Sequence, residues 1–417
     1  LMIASLLPAT ALAADVVASG TCGAEGDGSN LTWTLDREGV LTISGSGDMH
    51  GYALPGAPWY GSRSRVKSAV IAEGVTSIGR YAFYGCTSLT SVTIPDSVTS
   101  ISSYTFASCT SLTSVTIPNS VTSIGADAFY DCTSLTSVTI PDSVTSIGDG
   151  AFASCTSLTG IWVAEGNSHY ANDASGVLFN KDKTTLVQCP GAFAAYAIPD
   201  SVTSIGEKAF YYSTSLTSVT IPDSVTSIGQ HAFQGCKSLT SVTIPDSVTS
   251  ISSCTFASCI SLTSVTIPNS VASIGDGAFY YCTSLTSVTV PDSVTLIDNG
   301  AFQGCTSLTS VTIPDSVTSI GEYAFYDCTS LTDVYYAGSE AQWKAISISS
   351  NRNDDLLTAN IHYNYGSHTH SYKAVVTAPT CTAKGYTTHT CACGDSYVDT
   401  YVDALGHAWD NGKVTKE

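Results

Sequence analysis

The sequence predicts a repeat solenoid, mainly β, built of 23-residue units with a parallel sheet along one side. Three observations predict it. A phenylalanine recurs at 83, 106, 129 and 152 and again at 210, 233, 256, 279, 302 and 325, each step within a run being 23 residues. Most units carry a short uncharged segment, "SVTIP" or a close variant, rich in the β-branched residues that suit a pleated, half-buried surface. The 417 residues are 43% hydrophobic but only 12% charged, so a large core must be enclosed by Ser, Thr, Asn, Gly and Tyr. A fixed period of this kind marks units that cannot bury their own apolar face and do so by stacking.

In chain order, residues 1–14 come first. Their apolar run ends in Ala11-Leu12-Ala13, the small-x-small pattern of a signal-peptidase site. The run is too short to span a bilayer. It is expected to be the tail of an export signal whose start precedes Leu1, the alternative being a buried strand or helix. An exported chain is permitted disulfides without requiring them. No other apolar stretch is long enough to cross a membrane, so no direct membrane insertion is expected. The net charge of -19 argues against nucleic acid and against electrostatic docking on anionic lipid, both of which need clustered Lys and Arg.

The repeats run from 66 to 336. One unit reads L-x-x-V-x-I-P-D-x-V-x-x-I-G-x-x-A-F-x-x-C, as from Leu135 to Cys155. Period-2 alternation turns Val138 and Ile140 inward and Thr139 outward. Pro141 cannot donate to a ladder and Asp142 favours a turn, so the strand ends there. Val144 and Ile147 form a second inward segment, Gly148 breaks it, and Ala151-Phe152 starts a helical turn or bend that plugs the coil. In register, Thr93, Thr116, Thr139, Thr220, Thr243, Thr266 and Thr312 line up on the outer face. Asp96, Asp142, Asp200, Asp223, Asp246, Asp292 and Asp315 line up at the turn, where a turn role competes with calcium binding. The step from Phe152 to Phe210 is 58 residues, one unit plus 35, which places an insertion at about 163–197 after the fourth of ten units.

The repeated "SLTSVTIPDSVTSIGxxAFxxC" resembles the BspA-type leucine-rich repeat of bacterial surface proteins, from Val66 to Tyr336. The stretch from Val163 to Val202 is similar to that family's longer repeat, with a hairpin interruption. "CGAEGDGSNLTWTLDREGVLTISGSGDM" resembles the β-rich cap that precedes such arrays, which assigns 15–65. "YYAGSEAQWKAI" to "IHYNY" resembles the closing cap, which assigns 337–365. The resemblance implies a leucine-rich repeat array between β-rich caps in a secreted or surface-anchored binding protein. It also implies adhesion to host matrix proteins such as fibronectin and fibrinogen, or co-aggregation of bacteria.

Residues 366–417 read as a small Cys- and His-containing β module, expected to be truncated. His370-x-Tyr372 recurs as His407-x-Trp409 37 residues later, as though a second module begins near Leu405. This stretch resembles modules that repeat near the ends of gut bacterial surface proteins. Gly385 to Cys391 reads as a strand, "CGD" as a turn and "SYVDTYV" as the returning strand. His389, Cys391 and Cys393 alternate and share a face; with His370 they form a candidate metal site. The competing readings are a disulfide from Cys381 to Cys391 or Cys393, and free thiols.

Cys86, Cys109, Cys132, Cys155, Cys236, Cys259, Cys282, Cys305 and Cys328 form a column between the bend and the strand leucine. The expected role is structural, since unpaired cysteine packs as a small hydrophobe. Disulfides between rungs need converging Cβ vectors, whereas equivalent side chains on stacked rungs run parallel. Zinc needs four converging ligands, which a single file does not supply. Ser213 stands where a tenth cysteine is due.

The units differ mainly around the bend. Tyr81, Tyr84, Tyr104, Tyr130, Tyr211, Tyr212, His231, Tyr280, Tyr281, Tyr323 and Tyr326 are therefore the candidate ligand-binding residues. Tyrosine on a rigid scaffold buries much area at low entropy cost, though the same rings also fill space between bends. No catalytic set emerges: there is no nucleophile elbow, phosphate loop or H-E-x-x-H.

The function expected is non-catalytic recognition at the cell surface by a secreted, monomeric adhesin without cofactor. Its partners are expected to be host extracellular or bacterial surface proteins or glycans, including mucin. The alternative is a passive spacer that displays another domain.

Overall fold

A computed structural model describes residues 15–366, 373–380, 383–390, 396–404, 408–410 and 413–416. The expected export signal, residues 1–14, lies outside the described residues. The chain divides into two compact units, one ending at His362 and one starting at Tyr363. The first is a β-solenoid of about 13 turns. Ten turns carry the phenylalanine. The other three are an N-terminal coil through Val40–Gly45 and Gly47–Asp48, a coil within the insertion through Gly160–Val163 and Thr185–Gln188, and a closing coil through Asp333–Tyr336 and Ser347–Ile348.

Each coil bonds to its neighbours along three sides. The first is the expected parallel sheet. In Ser137–Ile140, Val138 and Ile140 are buried while Ser137 and Thr139 are exposed, as alternation requires. Such strands pair in register one unit apart, Ser287 with Ser310 and Thr289 with Thr312. The second side is a ladder of two-residue rungs at the second inward segment, for example Ser100 with Ser123 and Ile101 with Ile124.

The third side is the bend itself. The residue two before the phenylalanine, the phenylalanine, and the residue two after each donate their N–H to the next coil. Tyr104 reaches the Ala126 carbonyl at 3.1 Å, Phe106 that of Ala128 at 2.8 Å and Ser108 that of Tyr130 at 2.7 Å. The same triplet recurs in the coils of Phe129, Phe210, Phe233, Phe256, Phe279 and Phe302. It depends on left-handed backbone at both flanks, where φ lies between 52° and 74° in all ten coils. Six of these twenty positions are glycine and fourteen are not, although a side chain there costs roughly 1–2 kcal/mol. Of the helical turn or bend expected here, the structure has a bend, and one of alternating hand.

The phenylalanines fill the interior. Their rings stack at centroid spacings of 4.7–5.5 Å in two columns, Phe83 to Phe152 and Phe210 to Phe325. Each is at most 2% exposed and stabilises the fold by about 1.5–3 kcal/mol. Coils approach closely at the corner before the bend: a Cβ on Gly148 would stand 2.3 Å from the Ala126 nitrogen.

Both ends of the bend ladder are closed by caps, which removes unpaired edges. At the first coil, the Tyr52 N–H donates to the Arg80 carbonyl at 2.9 Å and the Trp59 indole N–H to the Ala82 carbonyl at 2.8 Å. At the last, Tyr323 donates to the Asn351 carbonyl, Phe325 to Asn353 Oδ1 at 3.1 Å and Cys328 to Asp355 Oδ2 at 3.1 Å. Asn353 is wholly buried, and its Nδ2 donates to the Gly321 and Ser349 carbonyls at 2.9 and 2.8 Å.

The insertion adds an antiparallel run, Tyr170–Asn172, Leu178–Asn180 and Thr185–Gln188, whose last strand rejoins the second ladder beside Ser204–Ile205. At the outer bend position the insertion is bypassed, the Ser154 N–H donating directly to the Tyr211 carbonyl at 3.1 Å, while at the phenylalanine position the insertion's Cys189 N–H takes the Ala209 carbonyl at 2.9 Å.

The second unit contains a three-stranded antiparallel sheet of Lys373–Thr377, Gly385–Thr390 and Ser396–Val402, and a hairpin of Ala408–Asp410 with Lys413–Lys416. The strands at 385 and 396 match the sequence reading. His389 Nε2 lies 2.9 Å from Asp399 Oδ1. Cys381, Cys391, Cys393 and His370 lie outside the described residues.

Candidate functional site

All nine column cysteines are free and at most 1% exposed. Eight of them donate to the carbonyl of the preceding coil's phenylalanine, as Cys109 Sγ does to Phe83 O at 3.2 Å and Cys305 Sγ to Phe279 O at 3.3 Å. Burial pushes the thiols of Cys86, Cys155, Cys259 and Cys305 up to about 12 and holds the others above their ordinary range. A neutral buried thiol is neither nucleophile nor metal ligand. Ser213 keeps its Oγ buried with no partner. Among the described residues, no group of three or more His, Cys, Asp or Glu side chains could hold a metal ion.

The eleven candidate residues all lie on the bend side, at three positions: two before the phenylalanine, one after and two after. Ten are half-buried, and Tyr281 is 41% exposed. They form groups rather than one stripe. At the N-terminal end Tyr81 stacks on Tyr104 at 4.9 Å and meets Tyr84 edge-on at 5.5 Å, with the Arg80 guanidinium 4.8 Å above the Tyr81 ring. At the C-terminal end Tyr280 meets Tyr281 at 4.5 Å and Tyr323 meets Tyr326 at 5.8 Å, with Arg352 5.2 Å above Tyr326.

The middle group closes over the Phe152 coil. That coil carries only Gly150, Ala153 and Ser154 at the variable positions. Tyr130 and Tyr211, from the coils on either side, meet above it at 6.0 Å. Lys208 and Asp127 join over Gly150, with Nζ 2.8 Å from Oδ2. Tyr211 continues to Tyr212 at 4.8 Å and to His231 at 6.3 Å, and His231 Nδ1 lies 2.6 Å from Gln234 Oε1. Tyr130 and Tyr211 are therefore packed as a roof, while Tyr281 is 41% exposed.

This face offers neutral phenols and cations set over rings. Burial first, then the neighbouring Asp127, raises the Tyr104 phenol to about 12, and burial raises Tyr130, Tyr211 and Tyr280. A phenol held neutral donates and accepts hydrogen bonds and does no base chemistry near neutral pH. The candidate list omitted Lys237 and Arg352, whose cations lie over Tyr212 and Tyr326, and the Asp127–Lys208 pair. It also omitted Trp162, which is 43% exposed on the sheet side. Its signal was the replacement of the outward Ser-x-Thr by Gly160-x-Trp162.

A sequence profile described as the BspA type leucine-rich repeat region matches six times, over residues 59–174, 188–305 and 249–362. No curated protein matches the chain. Among solved structures, the fold is similar to a leucine-rich repeat protein from Eubacterium ventriosum, with 32% identity and a TM-score of 0.64 over 76% of this chain and 90% of that one. It is also similar to a leucine-rich cell surface protein from Faecalibacterium prausnitzii, with 28% identity and a TM-score of 0.52 over 78% of this chain and 98% of that one.

Proposed function

The chain belongs to the BspA-type leucine-rich repeat family, and from that membership we propose that it is a non-catalytic recognition protein of the bacterial cell surface. The bend side of the array meets host extracellular or bacterial surface macromolecules. One observation carries this reading. The coils are nearly identical except at bend positions, and there tyrosine, lysine, histidine and aspartate occupy left-handed backbone that glycine would occupy without strain. Uniform selection for packing alone would favour glycine at those positions. The relative from Faecalibacterium prausnitzii is described as a cell surface protein, which supports the location.

The test is capture of the full chain on immobilised host matrix proteins, mucin and whole bacteria. Two variants probe the face: Tyr281→Ser with Tyr212→Ser, and Tyr84→Ala. Each takes the residue that other coils carry at that position, such as Ser108 or Ala107. Binding that falls at least tenfold in the variants supports the reading, and binding indifferent to all three substitutions removes the bend from it.

A second reading, a passive spacer, is favoured by the roof over the Phe152 coil, where tyrosines bury one another. It requires that no immobilised partner retain the chain at all.

A further inference from the structure

We propose that Trp162, laid across Gly160 on the outer face of the parallel sheet, is a stacking platform for neutral polysaccharide. The inference rests on the reading of the chain as a surface recognition protein but uses a different side of the coil. In the paired strand, Ser137 and Thr139 face outward. In Gly160–Val163 the same two places hold glycine and tryptophan. The two changes are coupled by space: a Cβ on Gly160 would stand 2.9, 2.9 and 3.0 Å from Trp162 Cε2, Nε1 and Cζ2. Near-equal distances to Cε2 and its two outer neighbours place that Cβ out of the ring plane at the Nε1–Cζ2 edge, so the indole takes the space a side chain at 160 would fill. The indole therefore lies against the buried glycine while 43% of the residue remains exposed.

That exposure has no packing role to explain it. Trp33, Trp59 and Trp343 are 6%, 1% and 8% exposed, against 43% for Trp162. On one flank the paired strand presents the exposed hydroxyls of Thr139, opposite Trp162, and of Ser137, and on the other the insertion joins the strand, Ile161 N–H donating to the Gly176 carbonyl at 2.8 Å. A flat apolar ring beside hydroxyls complements a pyranose, whose axial C–H face stacks on an aromatic ring while its equatorial hydroxyls bond outward. The charge of -19 repels acidic polymers, so the ligand class is a neutral glycan rather than a uronate or sialylated one.

The experiment uses the full chain with cellohexaose, maltohexaose and mannohexaose as neutral probes and polygalacturonate as the acidic one. Tryptophan emission and retardation in polysaccharide-containing gels report binding. At least one neutral probe is expected to shift the emission to the blue, and Trp162→Thr, which installs the residue of the paired strand, is expected to weaken its binding at least tenfold. Trp162→Tyr should retain part of the affinity, and Gly160→Ser, which lifts the ring, should lose most of it. The proposal is overturned if no neutral probe binds, if Trp162→Thr binds as well as the parent, or if polygalacturonate binds more tightly. It is equally overturned if the parent doubles in mass by light scattering and Trp162→Thr does not, since the platform then joins two copies. Retention on a protein partner by Trp162→Thr, with no glycan bound, would leave the bend-side function standing and remove only this platform.

Discussion

Lys208 Nζ lies 2.8 Å from Asp127 Oδ2, and the two residues hold the same bend position in coils on either side of Gly150. Their side chains are 20% and 5% exposed. The pair crosses the point where the insertion leaves and rejoins the array, so it ties together coils 81 residues apart in sequence.

Asp127→Ala should destabilise the array by about 2 kcal/mol. That is below the ~3–5 kcal/mol of a fully buried pair, because Lys208 keeps access to water. Gly150→Ala should cost at least as much. Its φ is +65°, and the added methyl would stand 2.7 Å from both Asp127 Oδ1 and Lys208 Cδ. Urea unfolding of the single variants and of Asp127→Ala with Lys208→Met reads the coupling; strict additivity would show that the pair does not stabilise the fold.

The column thiols should resist iodoacetamide in the native protein and react in urea without reductant, as followed by mass. A need for reductant would mean disulfides. Their titration also predicts alkaline sensitivity. The Cys86 thiol rises from 9.0 to about 12 on folding. The unfolded chain therefore releases its proton first as pH rises. Stability is fully present below pH 9.0 and is lost towards about 12, at about 1.4 kcal/mol per pH unit per thiol. Cys86→Ala should reduce the slope of stability against pH by one proton over this interval, while the buried tyrosines contribute equally to both proteins. Identical slopes would contradict the prediction.

Ser213→Ala should stabilise the protein by about 1 kcal/mol. The substitution deletes a buried hydroxyl that has no partner and leaves the surrounding packing nearly unchanged. A loss of stability in chemical denaturation would show that the hydroxyl is satisfied in solution.

Asn353→Ala should cost about 2–4 kcal/mol locally, because it leaves the Phe325 N–H and the Gly321 and Ser349 carbonyls without a side-chain partner. Amide exchange should accelerate in the Phe325 coil and the closing cap while the Phe129 coil remains protected. Uniform acceleration along the array would indicate that the cap governs global rather than terminal stability.

Most of the fold was legible because the unit is short and its cues are local. Val138 and Ile140 announce the inward face by alternation, Pro141 marks the strand end, and the phenylalanine spacing sets the register. The left-handed flanks of the bend were not legible. Tyr81, Lys208 and His231 all have positive φ, against the preference of their residue types; only glycines such as Gly85 and Gly150 hinted at it. The candidate site was half legible. Sequence variation placed the tyrosines at the bend, but the meeting of Tyr130 with Tyr211 depends on the insertion being bypassed at the outer bend position. Trp162 was missed because Gly160–Val163 departs from the repeat motif at both outward positions.

The bend ladder has an electrical consequence. The carbonyl of the residue before and the N–H of the residue that donates belong to one peptide group, so three peptide groups per coil point the same way along the axis. Each carries about 3.5 D, and in a stacked row such dipoles add. Within this row the carbonyls face the N-terminal end, which is the row's negative pole, and the N–H groups face the C-terminal end. Three residues before the phenylalanine, the first coil places Arg80 and the last places Glu322, each opposite in sign to its pole. The bend row is thus one polarised column with a matched counter-charge at either end, while N–H groups on the other sides, such as Thr122 to the Thr99 carbonyl and Gly125 to that of Ile101, point the opposite way and offset it within each coil.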